Sequence, residues 1–558
     1  MKEELRSLSL AVILSFIAIY TVNYFFNPQT VDVSKQVLEV EQASEELNKT
    51  ANSLLAEEDS FEPIDVVIKQ DKRIELKNDA VSGSIRLKGA RFDNLMLNKY
   101  NVSIDDSNNK VRLFSPSKAE NSYFAEFGWL SLDKTIKLPS SSSIWNTKDE
   151  NISFEKPAIL TWDNNKGVKI IRKISIDENY LFTITDTVEN ISGEELEIFP
   201  YALLTRSVKN LSQTRSVVHE GISAVVDGKL KEFKYSDIDK GDKEVFDSKG
   251  GWFGFSDRYW FSALITPDNH KNKITLKNSG NENYQIDYLG GRTIIPNGEA
   301  ISYTYKLYSG AKEIKLLDFY TKERNIPKFD LAVDFGWYYF LTKPFFYILD
   351  YLYGFLGNMG WAILLFAALL RVLMFPIANK SYDNMAKMKA LQPKLLEIKE
   401  KYGDNNMLIQ QATMELYKKE KINPASGCLP MFIQIPVFFS LYKVLNIAIE
   451  IRHAPFVGWI KDLSAPDPLT LSKILHIYLP SFVDIGLWPI FMGLTMWVQQ
   501  KLNPAPTNKD QAKMFALMPI FFTFMLGHFA SGLVIYWTLS NILSIIQQKA
   551  IMHKNGVK

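Results

Sequence analysis

The sequence predicts a multi-domain membrane protein in which six transmembrane α-helices, one N-terminal anchor and a five-helix C-terminal core, are joined to a large all-β sandwich domain and a helical hairpin. Three observations predict it. Apolar runs crowd the two ends of the chain, short alternating runs fill the middle, and lysines are unevenly shared among the loops between the apolar runs. A chain of 558 residues exceeds one ordinary domain. Its 64 Lys and Arg against 62 Asp and Glu leave a charge of only +2, so no direct DNA binding is expected. The single cysteine, Cys428, excludes an internal disulfide framework and a multi-cysteine metal site.

The elements follow in order. Residues 1–27, "MKEELRSLSLAVILSFIAIYTVNYFF" and the next position, put a short charged head before about twenty apolar residues, enough to span ~30 Å of hydrocarbon. A cleaved signal peptide would need a small-x-small exit, and "TVNYFFNPQ" has bulky aromatics, so an uncleaved anchor is expected. Residues 28–62 are acidic and polar, with too few large apolar side chains to offset the entropy of ordering, and read as a flexible linker. Residues 63–327 carry runs such as "KIIRKISI" and "YLFTITDTV" between turn signals such as "VDGK" and "NSGNEN", the rhythm of a β-sandwich. Following an anchor, that domain should lie across the membrane from the N-terminus. Residues 328–358 include "FGWYYFLTKPFFYILDYLYGFLG", long enough to span but interrupted by Lys343, Pro344 and Asp350 and rich in Trp and Tyr, so an interfacial amphipathic helix is expected.

The core, 359–553, holds five apolar segments: Gly360 to Ile377, Cys428 to Ile449, Ile485 to Leu502, Met514 to Ala530 and Gly532 to Gln548. Several are short for a 30 Å core, which implies local thinning or tilt. The loop from Asn379 to Pro424 carries nine lysines and is therefore cytoplasmic, and parity puts the N-terminus and the tail, 554–558, on the same side. Within it, Met385, Met388, Leu391, Leu395, Ile398 and Tyr402 recur at helical spacing, "GDNN" breaks the pattern and "MLIQQATMELYKKEK" resumes it, predicting a helical hairpin over 380–424. It is either a solvated arm or a docking arm with adaptable methionines.

No phosphate-binding G-x-x-x-x-G-K-[ST] loop or H-E-x-x-H helix occurs, and the six histidines lack ligand spacing, so no cofactor, metal or enzymatic chemistry is expected. Ser531 and His528 are the nearest candidates for an intramembrane hydrolase pair, at a membrane edge. No Asp or Glu lies inside the spans after Gly360, which weighs against a proton-coupled transporter. What the core does hold is one permanent charge, Arg371, inside "GWAILLFAALLRVLMFPI", where an arginine costs roughly 2.5–3.5 kcal/mol or more. Neutral polar side chains accompany it: Gln434, Ser440, Thr495, Gln499, Gln500, Thr523, Thr538, Ser540, Asn541 and Ser544. Trp537, Ser540, Asn541 and Ser544 fall on one helical stripe. If these faces converge, they make a wet cationic cavity. The alternatives are hydrogen-bonded helix links for the polar residues and snorkelling for Arg371.

The runs "MAKMKALQPKLLEIKEKYGDN", "ELYKKEKINPASGCLPMFIQIPVFFSLYKVL", "RHAPFVGWIKDLSAPDPL" and "SGLVIYWTLSNILSIIQQ" closely resemble YidC-type membrane protein insertases of Gram-negative bacteria, over about Gly336 to His553. The β domain resembles the family's in position, size and β character only. The resemblance implies an inner-membrane insertase and chaperone for nascent membrane proteins, acting alone or with the Sec translocon and without ATP hydrolysis. It implies that Arg371 sits in a hydrophilic groove open to cytoplasm and lipid, that Gln434 lines it, and that Pro430, Met492 and Tyr536 lie near the substrate path. Thr495, Trp537, Ser540 and Asn541 join the candidate groove from the polar faces. The periplasmic domain would be a β-supersandwich with a Sec-contacting region, and the hairpin and tail would meet the ribosome and a signal-recognition receptor. A polytopic small-molecule transporter is the alternative; it would show inverted-repeat hydropathy, which is not visible. Two departures stand out: Trp537 replaces a frequent second tyrosine, and "TLSKILHIYLPSFVDIG" lengthens the segment before the next span.

Overall fold

Alternating strands in the middle of the chain close into two stacked sheets. The computed structural model describes residues 39–49, 61–208, 218–240, 243–268, 271–403, 405–423, 429–504 and 509–556; the anchor expected over 1–27 lies outside them. An eleven-stranded sheet is built around Leu196–Ser207, which pairs antiparallel with Tyr123–Leu130 and with Asn283–Leu289. In the eight-stranded sheet, Ala300–Ala311 lies between Leu181–Asn190 and Trp260–Ile265. The β-sandwich expected over 63–327 is therefore present, and its inner faces follow the period of two. In Val168–Ile176 every second residue is buried, and so it is in Leu181–Asn190 from Phe182 onward.

Two of those inward positions are charged. Arg172 and Asp186 face each other across adjacent strands and are fully buried. The guanidinium meets the carboxylate at 2.7 and 2.8 Å, donates to the Phe127 carbonyl at 2.9 Å and lies over the Trp145 ring, while the Trp129 indole N–H donates to Asp186 at 2.9 Å. Phe127 and Trp129 belong to the opposite sheet, so the pair ties the two layers.

The linker reading of 28–62 is corrected at 39–49, which form a helix (α1). Its Val40, Ala43 and Leu47 pack on Phe124, Phe199, Tyr201, Leu203 and Leu289 of the eleven-stranded sheet, and Glu39 pairs with Arg292 at 3.3 Å. Three apolar residues are few, but spaced at three and four they make one stripe, and the sheet supplies the apolar face that the segment lacks on its own.

Helix α2 (Ile314–Glu323) leads from the sandwich into α3 (Tyr339–Leu356), the element expected at the interface. Its inner face, with Phe345, Phe346 and Leu349, is buried, and its outer face exposes Tyr351 and Phe355. The out-of-place Lys343 is explained by two ion pairs, 2.7 Å to Asp318 and 2.8 Å to Asp330. The core then comprises α4 (Met359–Ala390), α5 (Gln392–Tyr402), α6 (Asn406–Lys419), α7 (Leu429–Ile447), α8 (Leu487–Leu502), α9 (Lys509–Leu526) and α10 (Ser531–Lys554). Among the described residues only α4 is both long and apolar enough to cross a membrane, with two shorter apolar stretches at Phe432–Ile447 and Ala512–Leu526. Length and composition alone thus do not establish six spans.

The expected start of the hairpin at 380 falls inside α4, which continues to Ala390 and bends at Leu391 ahead of α5. Gly403, at φ +58, ends α5, and Lys394 pairs with Glu420 beyond α6 at 2.9 Å. Met388 packs inward with Leu391 and Ile422, so it is not an exposed contact; Met407 and Met414 are the exposed methionines of this region.

The sandwich is seated on the core. Arg258 donates to the Asn446 carbonyl at 2.7 Å and its amide oxygen at 2.9 Å, Lys443 pairs with Asp334 at 2.6 Å, and Arg452 donates to the Asn101 carbonyl at 2.8 Å. At this seam Glu450 accepts from the Ile314 N–H at 3.2 Å, while its second oxygen is buried without a partner among the described residues. Burial, helped by the neighbouring Glu313 and Asp350, pushes this carboxyl from its ordinary 4.5 up to about 7.

Asp186→Ala should destabilise the sandwich by about 3–5 kcal/mol, since the Arg172 charge is left buried alone, whereas Arg172→Met with Asp186→Leu should recover most of that in chemical denaturation. Because the folded carboxyl of Glu450 binds its proton more tightly than the unfolded one, its contribution is present below pH 4.5 and lost as pH rises through about 7. Glu450→Gln should therefore raise stability at pH 8 by about 1–3 kcal/mol, with no gain at pH 4, in melts of the full chain.

Candidate functional site

From Asn541 onward, helix α10 buries a polar side and exposes an apolar one. Asn541, Ser544, Gln547 and Gln548 are buried, and Ile542 and Ile546 are exposed. On α4, Val372 and Leu373 are 71% and 74% exposed, and on α9 Leu517 and Phe521 face outward. Apolar surface of this extent on several adjacent helices suits hydrocarbon, not water.

The polar side of α10 meets α4, and α8 with its C-terminal cap. Asn541 donates to Thr495 Oγ1 on α8 at 3.1 Å, Gln547 to the Asn379 amide oxygen on α4 at 2.8 Å, and Gln548 to Asn503 just past α8 at 3.1 Å. Ser544 Oγ accepts from Arg371 Nη2. The same nitrogen donates to the Tyr382 hydroxyl at 2.8 Å, and the guanidinium carbon stands 6.0 Å from that ring's centroid. Tyr382 is eleven residues after Arg371 on α4, about three turns, so both share a face. Arg371 Nε is buried with no partner, and among the described residues no carboxylate lies within ion-pair distance of it. The side chain reaches toward the C-terminal end of α4, the direction of snorkelling, but ends on hydroxyl groups held by protein.

The candidate residues separate into groups. Arg371 joins Ser544 and Tyr382, Gln434 donates to the Tyr536 hydroxyl at 2.9 Å, and Thr495 pairs with Asn541. Ser540 is half-buried on the same stripe, its carbonyl accepting from Ser544 Oγ at 2.7 Å. Met492 and Trp537 are not brought to these polar groups. Met492 is fully buried with Leu526 and Val534, and Trp537 packs against that cluster with its ring 4.7 Å from Phe438. Pro430 is half-buried in the first turn of α7. Thr523 and Thr538 bond carbonyls four residues back on their own helices, so in these contacts they neither join the groove nor link one helix to another. Ser440 Oγ is fully buried without a partner among the described residues. Ser531 and His528 bond different carbonyls, of Ala465 and Ser481, and form no pair. Among the described residues no cluster of His, Cys, Asp or Glu could hold a metal ion. Tyr382, Asn379 and Gln547 went unrecognised as site residues; the three-turn spacing from Arg371 to Tyr382 was the available signal.

Residues 73–348 match the family described as YidC periplasmic domain, and 351–557 that described as 60Kd inner membrane protein. The membrane protein insertases YidC of Rickettsia felis and Rickettsia massiliae are each 44% identical to the chain over 98% of its length and 99% of theirs. The chain belongs to the YidC family of membrane protein insertases. A solved active YidC insertase, with its first transmembrane domain resolved, aligns with 86% of the chain and 92% of its own at 16% identity and a TM-score of 0.37. Family membership makes this an inner-membrane protein with a periplasmic domain, and places the sandwich and the helical core in the two matched regions.

The Thr495–Asn541 contact is measurable by a double-mutant cycle. Thr495→Val combined with Asn541→Leu should show a coupling of about 0.6 kcal/mol in detergent unfolding, the usual size for an interhelical hydrogen bond in a membrane.

Proposed function

We propose that the chain inserts and helps fold nascent inner-membrane proteins, and that the groups around Arg371 form a hydrated half-depth groove for the hydrophilic segment being moved. The observation that carries this is a guanidinium whose partners are neutral hydroxyls. Such a site keeps its full positive charge free to attract acidic residues of an incoming tail, and at low local dielectric that attraction outlasts screening by salt. Carrying a polar tail through hydrocarbon costs several kcal/mol per unsatisfied group. Gln434 with Tyr536, Thr495 with Asn541, and the Gln547 and Ser544 side chains offer replacement partners part of the way. The apolar segment of the substrate then partitions into lipid along the exposed flanks of α4 and α9, and that transfer drives the step without ATP hydrolysis.

In this reading the core and the N-terminal anchor make six spans, both termini are cytoplasmic and the sandwich is periplasmic, as the lysines of the 379–424 loop require. The Sec translocon would be a partner on the periplasmic side and within the membrane. The region of α5 and α6, with its exposed Met407 and Met414, would meet the ribosome and a signal-recognition receptor together with the tail.

Arg371 replacements separate this from a passive role. In cells depleted of the native protein, insertion of a short coat-like protein with an acidic translocated tail should survive Arg371→Lys. It should fall roughly tenfold with Arg371→Ala, equivalent to about 1.4 kcal/mol, and further with Arg371→Glu. Normal insertion by the Glu variant would count against the charge.

A further inference from the structure

The lengthened segment before α8 folds into a closed loop with an apolar rim. Its ends meet: Thr470 and Gly486 form an antiparallel bridge, and Leu471 N–H donates to the Ile485 carbonyl at 3.0 Å. Polar groups are used inside it, where the Ser472 N–H donates to Asp484 at 2.8 Å, the Leu479 N–H to Ser472 Oγ at 3.2 Å, and the Lys473 ammonium to the Pro468 carbonyl at 2.8 Å. What it presents outward is Leu475, Ile477, Tyr478 and Phe482, with Tyr478 94% and Phe482 70% exposed. A compact loop that spends its hydrogen bonds internally and its large apolar side chains externally is built to be covered.

Its position says by what. The His528 ring lies 2.9 Å from the Ser481 carbonyl, Ile485 is buried beneath the turn joining α9 to α10, and α8 begins at Leu487. The loop therefore lies at the ends of three core helices, two of which expose apolar side chains further along, Leu494 on α8 and Leu517 and Phe521 on α9. It is at the sandwich side of the core, since Gly532 bonds the Leu463 carbonyl, Leu463 bonds Ala454, and Arg452 reaches Asn101.

We propose that residues 474–482 dip into the bilayer interface on the sandwich side as a non-spanning foot, Tyr478 and Phe482 lying among the headgroups and upper acyl chains. Lipid is the occupant because the rim sits at the ends of helices that expose apolar side chains and because an amphipathic aromatic such as Tyr478 suits the headgroup level. The foot fixes the depth of the α8 start and of the α9–α10 turn.

The test uses the full chain carrying Cys428→Ser in vesicles of phosphatidylethanolamine and phosphatidylglycerol. An environment-sensitive fluorophore is attached at Tyr478→Cys, at Phe482→Cys, or at Ile191→Cys, an exposed apolar position on the sandwich. At 478 and 482 the emission should shift to the blue, be quenched by nitroxide-bearing lipid, and lose quenching by iodide; at 191 iodide should quench and the lipid nitroxide should not. Probes at both loop positions that behave like 191 would overturn the proposal. So would probes shielded from iodide and from the lipid nitroxide alike, which would mean that protein, not lipid, covers the loop.

Discussion

A guanidinium that cannot lose its proton, placed partway along an apolar helix, sets the terms for its surroundings. It must be hydrogen-bonded or hydrated, and a carboxylate partner would cancel the charge. Arg371 instead meets the hydroxyls of Tyr382, three turns along its own helix, and of Ser544 on α10. Those oxygens satisfy donors without neutralising them, so the positive charge persists at a half-buried site. The same requirement propagates along the second half of α10, whose amides find partners on α4 and near α8 while Ile542 and Ile546 turn outward. Polar within and apolar without is a stable arrangement only when the surroundings are lipid.

The sandwich is organised by a related rule with the opposite outcome. Arg172 and Asp186 are sealed from solvent, and there the charge is matched by a carboxylate and by groups from the facing sheet. The buried guanidinium of Arg172 is cancelled and holds layers together; the half-buried one of Arg371 is left uncancelled. Between the two domains, Arg258, Lys443 and Arg452 bind carbonyls and a carboxylate across the seam. Lys343, an oddity in an apolar run, anchors α3 to the acidic residues beyond the sandwich. Lys343 and Lys443 are thus matched by carboxylates, whereas Arg371 on α4 has no carboxylate partner among the described residues.

Some features were invisible in the sequence for identifiable reasons. The stripe Val40, Ala43 and Leu47 is too thin to fold alone, and only the aromatic sheet face around Tyr201 makes 39–49 a helix. Lys380 marks where charge begins, but charge does not stop a helix, so α4 runs on to Ala390. Met492 and Trp537 share α8 and α10 with the polar residues, yet they turn into an apolar cluster because the helices pack that way. Met385 and Met388 show the same limit: helical spacing identified their common face but not whether a partner covers it.

What the chain determined by itself is what local periodicity and charge carry: strands of period two in the middle, apolar helices toward the end, a lysine-rich loop, and one arginine whose cost demands a reason. Those depend on neighbours a few residues away, which are written in order along the chain. Which hydroxyls receive the guanidinium, which polar residues merely bond their own helix, and how Glu450 is trapped at the seam were decided by tertiary packing. Each of these turns on the rotation and depth of one helix against another, and contacts such as Ser544 to Arg371 join residues far apart in sequence that only packing brings together.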